Sequence, residues 1–188
     1  HISYTQTKPQ TTMKKIFFFT ILISVIFLTN CSKDDSNLEN GFNVNGKNYS
    51  TNYAYIEQYG YKCMLIFSSA DKYSSSYIEN RGRFDLIYLI KGELTLDTYT
   101  ISRGIDDTVE FTKDIQMENG LFTSLGTDLA QQTSGFSSIK SAKVSIHSLE
   151  FDNEGNVNKI DIDYSFDWDG IKVRGSYNGV VRVAPEIR

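Results

Sequence analysis

Apolar and polar residues alternate without a break along the last part of the chain. From Ile160 to Trp168 the even positions read Ile160, Ile162, Tyr164, Phe166 and Trp168, while the odd positions read Asp161, Asp163, Ser165 and Asp167. Successive side chains of an extended strand point to opposite faces, so this period of two predicts a strand with one buried and one wet face. Asp169-Gly170 follows, a dipeptide suited to a two-residue hairpin turn. After it the apolar set moves to odd positions, Ile171, Val173, Gly175, Tyr177, Gly179, Val181 and Val183, with Lys172, Arg174 and Arg182 on the other face. Counting outward from the turn fixes the register: Trp168 faces Ile171, Phe166 faces Val173, Ile162 faces Tyr177, and Asp167 meets Lys172 on the wet face. Tyr164 lands opposite Gly175, an aromatic ring covering a glycine, which keeps a kinked strand packed.

The same reading extends upstream. Ser141 to Phe151 predicts a strand closed by the turn residues Asp152 to Asn156, so the chain ends in a three-stranded meander. Asn45-Gly46 predicts a second hairpin turn, between Phe42 and Val44 on one side and a strand from Lys47 to Glu57 on the other. Further strands are expected over 62–68, 83–90, 96–102 and 108–112, and Thr127 to Gln132 has room for one short helical turn. No longer helical period is present. The fold class is therefore all-β, an antiparallel β-barrel or a two-sheet β-sandwich of about 8–10 strands.

The beginning of the chain has a different pattern. Met13, Lys14 and Lys15 precede an apolar run from Ile16 to Leu28 interrupted only by Thr20 and Ser24. That run spans about 20 Å as a helix against the roughly 30 Å of a bilayer core, and its charged-then-apolar order is that of an export signal. Residues 13–30 thus read as a signal peptide, and the polar residues 1–12 as an extension upstream of the start at Met13. The run ends in Leu28, Thr29, Asn30 and Cys31, which resembles the lipobox of bacterial lipoproteins. The resemblance implies that Cys31 is acylated and becomes the first mature residue, anchoring the chain in a membrane through acyl chains worth about 0.8 kcal/mol per buried methylene. Ser32, Lys33, Asp34 and Asp35 then resemble the surface-export signal of Bacteroidota lipoproteins, which implies the outer face of the outer membrane; a periplasmic-facing lipoprotein is the alternative. The tail segment Gly175, Ser176, Tyr177, Asn178, Gly179 behind an Asp-Gly turn is also similar to small lipoproteins of that group, a resemblance that brings no activity with it. Residues 31–40 are expected to be a flexible acidic tether and 41–188 a single all-β domain.

Composition narrows the function. The chain has 188 residues, and its aromatic content of 13% supplies the apolar bulk that disordered chains lack. Cleavage before Cys31 removes Lys8, Lys14 and Lys15 and no acid, which moves the net charge from −4 to −7 and argues against a nucleic-acid partner. With Cys31 used by lipid, Cys63 has no second cysteine to pair with, and its apolar neighbours Met64, Leu65, Ile66 and Phe67 predict a buried thiol.

Reactive constellations are weak. His147 lies on the opposite parity to Val144 and Ile146, a solvent-facing strand position rather than a catalytic one. The spacings Ser69 to Lys72 and Ser137 to Lys140 occur as often as chance provides. One histidine and one cysteine do not make a zinc site, and Asp163, Asp167 and Asp169 read as an outward face and a turn rather than a calcium loop. No metal or cofactor is expected. Paired carboxylates among Glu150, Asp152, Asp161 and Asp163 would serve a glycan-active hydrolase only if the fold draws two of them into a pocket.

Tyrosine is in excess. Tyr49, Tyr53, Tyr55 and Tyr59 fall on one parity and suit a core-lining ladder, whereas Tyr59, Tyr61, Tyr73 and Tyr77 lie at or beyond strand ends, the last two flanking Ser74 to Ser76. Rings with hydroxyl tips suit a glycan or envelope-protein ligand. The expected function is a non-catalytic binding or interaction module on the cell surface, with a glycan-active hydrolase or a purely structural envelope lipoprotein as alternatives. Asp107-Thr108-Val109 resembles the O-glycosylation acceptor of exported Bacteroidota proteins, with Thr108 as the modified residue. The intact mass of native protein is expected to fit an acylated Cys31 at the amino terminus and a glycan on Thr108. Acyl groups without a glycan would remove the second assignment, and a retained 13–30 segment would remove the first.

Overall fold

The computed structural model describes residues 39–87, 94–101, 104–126, 139–168 and 170–183, with Asp106, Asp107, Thr108 and Trp168 described by backbone alone. Within these residues the chain forms eleven strands and no α-helix. They are β1 (Asn40–Val44), β2 (Lys47–Ser50), β3 (Tyr53–Tyr59), β4 (Lys62–Ser68), β5 (Tyr77–Ile87) and β6 (Thr98–Thr100). The remainder are β7 (Ile105–Glu118), β8 (Leu121–Ser124), β9 (Ile139–Phe151), β10 (Val157–Trp168) and β11 (Ile171–Val183).

The C-terminal meander β9-β10-β11 has the register that alternation dictates. Trp168 pairs with Ile171, Asp167 with Lys172, Phe166 with Val173, Tyr164 with Gly175 and Ile162 with Tyr177. Gly170 at φ 81° supplies the left-handed conformation that the two-residue turn requires. Ile160, Ile162, Tyr164, Phe166, Val173, Tyr177 and Val181 are all buried. Val183 departs from the expected ladder: at the last position of β11 it is exposed. The Asn45-Gly46 turn also forms as expected, with φ 48° and 92°, and it is fastened to the start of β11 by Asn45 N donating to Lys172 O at 3.0 Å and Lys172 N donating to Asn45 Oδ1 at 2.8 Å.

The stretch expected as one strand from Lys47 to Glu57 is divided. β2 pairs only with β1, whereas β3 pairs with β4 and, in parallel, with the end of β11. At the break Thr51 N donates to Asn40 O at 3.2 Å and Asn52 N donates to Ser68 O at 2.9 Å, so the backbone changes sheets without leaving its hydrogen bonds unmade. One consequence is that the expected tyrosine ladder does not exist: Tyr49 packs in the core on Phe42, while Ala54 and Ile56 take the core side of β3 and Tyr55 points away from them.

The order β6-β9-β10-β11-β3-β4-β5-β7-β8, with β1 and β2 added beside β11, does not close on itself. It is a mixed sheet rather than a barrel, and its two halves face each other across one aromatic core. Tyr164 of β10 lies 5.2 Å by ring centroids from both Phe67 of β4 and Phe84 of β5, and Phe42 of β1 meets Phe111 of β7 at 4.9 Å. Cys63 is fully buried in the same core, as its neighbours indicated. A Cβ built on Gly175 would overlap the Tyr164 ring, whose hydroxyl donates to Gly41 O at 3.2 Å. Replacement Gly175→Ala is therefore expected to lower stability by about 1–3 kcal/mol through overpacking. Urea denaturation measures this, and an unchanged midpoint would mean that the ring is not confined there.

Candidate functional site

The second half of the sheet has a crowded outer face. On β3 the residues turned from the core are Tyr53, Tyr55, Glu57 and Tyr59, and one of them, Tyr55, is nevertheless wholly buried. The cover is the loop between β4 and β5. Tyr55 Oη donates to Asp71 Oδ1 at 2.8 Å and accepts from Lys72 N at 3.0 Å, and the Tyr73 ring meets that of Tyr55 edge-on at 5.5 Å. The Lys72 ammonium lies 4.8 Å from the centroids of both rings, is only 5% exposed, and pairs with Glu57, which also accepts from Tyr59 Oη at 2.5 Å. A buried ammonium is costly unless paired, and here a carboxylate and two aromatic faces compensate it.

Asp71 fastens the other side. It accepts from Tyr73 N at 3.0 Å and from the Arg182 guanidinium at 2.5 Å, and Arg182 also lies over the Tyr53 ring at 5.6 Å. Arg182 reaches this place because the parallel pairing of β11 with β3 sets it beside Tyr55. These donors, the Tyr73 amide first, then Arg182 and Tyr55, hold the Asp71 carboxyl down at about 2. Burial alone would raise Glu57, but the bonds from Lys72 and Tyr59 and the charges of Lys72 and Arg83 outweigh it, so Glu57 also sits below the usual carboxylate range. Burial, then the Asp71 carboxylate, push the Tyr55 hydroxyl up, despite the Lys72 amide bond; the bond to Glu57 and then burial raise Tyr59 to about 12.

A second group of charges continues along the same face on β5 and β7. Arg81, nearly buried, pairs with Glu110 at 2.7 Å and is covered by the Phe122 ring of β8 at 4.7 Å; Lys62 lies 3.6 Å from Asp85. Burial lowers Arg81 from its ordinary value, against the Glu110 charge and bond. The face as a whole presents aromatic edges and hydroxyls fixed by ion pairs, which is chemistry suited to holding a polar partner. A general acid needs a carboxyl raised toward neutrality, and Glu57 and Asp71 are both moved the other way.

The candidate tyrosines are all exposed but do not form one surface. Tyr59 and Tyr73, at 46% and 51% exposure, are joined through Glu57 and Lys72. Tyr61, at 68%, occupies the two-residue turn between β3 and β4. Tyr77, at 47%, donates instead to Asp114 of β7 at 2.5 Å, and that bond raises it to about 12. Cys31, Ser32, Lys33, Asp34 and Asp35 lie outside the described residues, as do the Thr108 side chain and the 127–132 segment.

The hydrolase alternative requires carboxylates that converge. Asp163 is bonded to His147 Nε2 at 2.9 Å and Glu150 to Lys159 at 2.8 Å, both on the exposed face of β9 and β10, while Asp152 receives the amides of Glu154 and Asn156 in its own turn. His147 is the extra residue of a bulge, since Asp161 pairs with Ser148 and Ile162 with Ile146. Among the described residues no group of three or more His, Cys, Asp or Glu is placed to hold a metal. Sequence reasoning missed Glu57, Asp71, Lys72, Arg81 and Arg182. Each is an ordinary charged residue locally, and only Asp71-Lys72 beside Tyr73 offered a signal.

No protein-family model, curated protein or solved structure matches the chain.

The bonds that depress Asp71, from the Tyr73 amide first and then from Arg182 and Tyr55, stabilise the fold above the ordinary carboxyl value of 3.8 and cease to do so as the carboxyl protonates toward about 2. Stability is expected to fall over that acid range, and Asp71→Asn to flatten the fall while leaving the part due to Glu57. Urea midpoints across about pH 5 to 2 give the two slopes, and equal slopes would dissociate Asp71 from the loop.

Proposed function

We propose that the chain is a lipid-anchored cell-envelope protein, exposed at the cell surface, whose β-domain is a non-catalytic module that binds a carbohydrate or protein ligand. The observation that carries the binding part is the pair Tyr59 and Tyr73, half-exposed rings held by Glu57, Lys72 and Asp71 over the outer face of β3. Rings fixed before a ligand arrives lose little conformational freedom on binding, and their hydroxyl tips tolerate a polar partner. The anchoring part rests on Leu28 to Cys31 and on the Lys33-Asp34-Asp35 signal behind it. Two or three acyl chains on Cys31 make a stable anchor, and the residues that follow serve as a tether between membrane and domain.

The test has two arms. Tagged protein on intact cells is expected to be digested by added protease, to be released from membranes by Cys31→Ala, and to become protected in an Asp34→Ala/Asp35→Ala variant. Protection of the unaltered protein would place the domain in the periplasm instead. For binding, Tyr59→Ala/Tyr73→Ala is expected to weaken retention of immobilised protein on isolated cell-surface material at least about tenfold, an anchor-residue effect, at a temperature where circular dichroism shows the variant folded. Equal retention by the variant would remove this face as the binding surface.

A further inference from the structure

The dipeptide Asn-Gly occurs four times, at Asn40-Gly41, Asn45-Gly46, Asn119-Gly120 and Asn178-Gly179. It is the pair in which an asparagine amide is most easily lost, because glycine leaves its own backbone nitrogen unhindered to reach the side-chain carbonyl carbon before it, and closing a ring within one chain needs no encounter. The sequence makes the four equal. Their surroundings in the fold do not.

Two of the four lie inside strands. Gly41 of β1 is paired on both sides, with Ser50 of β2 and Ser176 of β11, and Asn40 Oδ1 accepts from Asn178 N at 2.8 Å. Gly179 lies opposite Ile160, and counting by twos from the Trp168 and Ile171 pair that closes the turn makes this a pair that exchanges both its amide bonds. A nitrogen whose N–H is committed to a ladder is free neither to give up its proton nor to swing toward the side chain.

The other two stand at the tips of two-residue hairpin turns with nearly the same backbone, Asn45 and Gly46 at φ 48° and 92°, Asn119 and Gly120 at φ 51° and 77°. All four residues are exposed, and a Cβ built on either glycine would meet nothing within 4 Å, so crowding does not separate the turns. Hydrogen bonds do. Gly46 N donates to Asn43 Oδ1 at 2.8 Å and Asn45 Oδ1 accepts from Lys172 N at 2.8 Å, so the nitrogen that would attack and the amide it would attack are both held. In the second turn Met117 stands where Asn43 stands in the first, two residues before the asparagine, and a thioether is a poor acceptor. Among the described residues nothing bonds the Asn119 side chain or the Gly120 nitrogen.

We propose that Asn119 is a site of spontaneous deamidation, the one Asn-Gly pair of the four that the fold leaves reactive. Gly120 N gives up its proton and bonds to Asn119 Cγ; the bond from Cγ to Nδ2 breaks, and Nδ2 leaves with that proton as ammonia. One water then opens the five-membered imide. Breaking the new bond to Cγ gives aspartate, and breaking the original peptide bond gives isoaspartate, with the chain running through the side chain. Either product adds a negative charge beside Glu118. Isoaspartate also lengthens the backbone by one methylene, for which a two-residue turn closed by Glu118 and Leu121 has no place. The modification thereby acts on β8, which pairs with β7 and lays Phe122 over Arg81.

Full-length protein is held at neutral and at mildly alkaline pH, sampled over days, cut with trypsin and read by mass spectrometry with fragmentation that distinguishes aspartate from isoaspartate. The peptide containing Asn119 is expected to convert at least about tenfold faster than Asn40, Asn45 or Asn178, the order of what one hydrogen bond is worth in a rate. The rate is expected to rise with pH, since the attacking nitrogen must lose its proton. In guanidinium chloride, where ladders and turns are gone, the four sites are expected to convert at similar rates. Folded protein in which Asn119 converts no faster than the other three would overturn the assignment. A preference for Asn119 that persists undiminished in guanidinium chloride would overturn it too, because the residues next to it in sequence, and not the fold, would then select the site.

Discussion

β11 is hydrogen-bonded along both edges, and the position of every other strand follows from that. One edge carries β10 from Lys159 opposite Val180 to Trp168 opposite Ile171. The other takes β1 beside Val173 to Tyr177 and then β3 beside Val181 to Val183. β1 runs antiparallel to β11 and β2 antiparallel to β1, so β2 already travels in the direction of β11. A sidestep at Thr51 and Asn52 then brings the chain against β11 as a parallel neighbour, with no crossover helix of the kind parallel strands usually need. The sheet thereby turns over on itself, and the faces that meet are those carrying Phe42, Phe67, Phe84, Phe111, Tyr164 and Phe166.

The aromatic core and the charged outer face are two results of that one arrangement. In the core, Tyr164 can lie within 5.2 Å of Phe67 and Phe84 because Gly175 opposite it has no side chain. The ring fills the space a Cβ would take, so glycine and tyrosine specify each other. Outside, the loop between β4 and β5 folds back over Tyr55 and is pinned from two directions, by Lys72 to Glu57 and by Arg182 to Asp71. Ion pairs removed from water gain little net stability, because desolvation offsets the attraction, but removing one partner leaves a charge stranded. Their contribution here is to fix one geometry for the rings above them. Lys159 with Glu150, about half exposed on the opposite side of the molecule, carries no such constraint and little energy.

The tyrosine face shares its scaffold with a cleft of about 580 Å³ between the β1–β2 hairpin and the β5–β7 pair. On the face, half-exposed rings stand on fixed charges; the cleft is lined by Asn48, Asn52, Asn80, Lys47, Lys113 and Glu79 beside Tyr49. Both stand beside the segment from Ser69 to Tyr77. Asp71 to Tyr73 cover Tyr55, Ser69 lines the cleft and accepts from the backbone N–H of Asn80, and Tyr77 at the segment's end bonds Asp114 next to Lys113. A short loop whose backbone is satisfied by Asp71 and by the strand beside it thus supports the tyrosine face and one wall of the cleft.

The sequence by itself determined what local periodicity controls. The faces and register of β10 and β11, the covering of Gly175 by Tyr164, the Asn45-Gly46 turn and the exposure of His147 follow from a period of two and from the backbone freedom of glycine and asparagine, and the burial of Cys63 from the apolar run around it. Tertiary structure decided whatever depended on which strand lies beside which. Nothing in Lys47 to Glu57 signals a change of sheet, because the tyrosines keep one parity through Thr51 and Asn52, while the partners change and the core side passes from odd Tyr49 to even Ala54 and Ile56. Nothing near Arg182 signals Asp71, since their meeting depends on a parallel pairing between strands far apart in the chain. The same holds for Asn80 beside Ser50. A side chain's direction from the backbone is a local property that the alternation of residues records, whereas the group it meets is set by the packing of distant segments, which no local pattern contains.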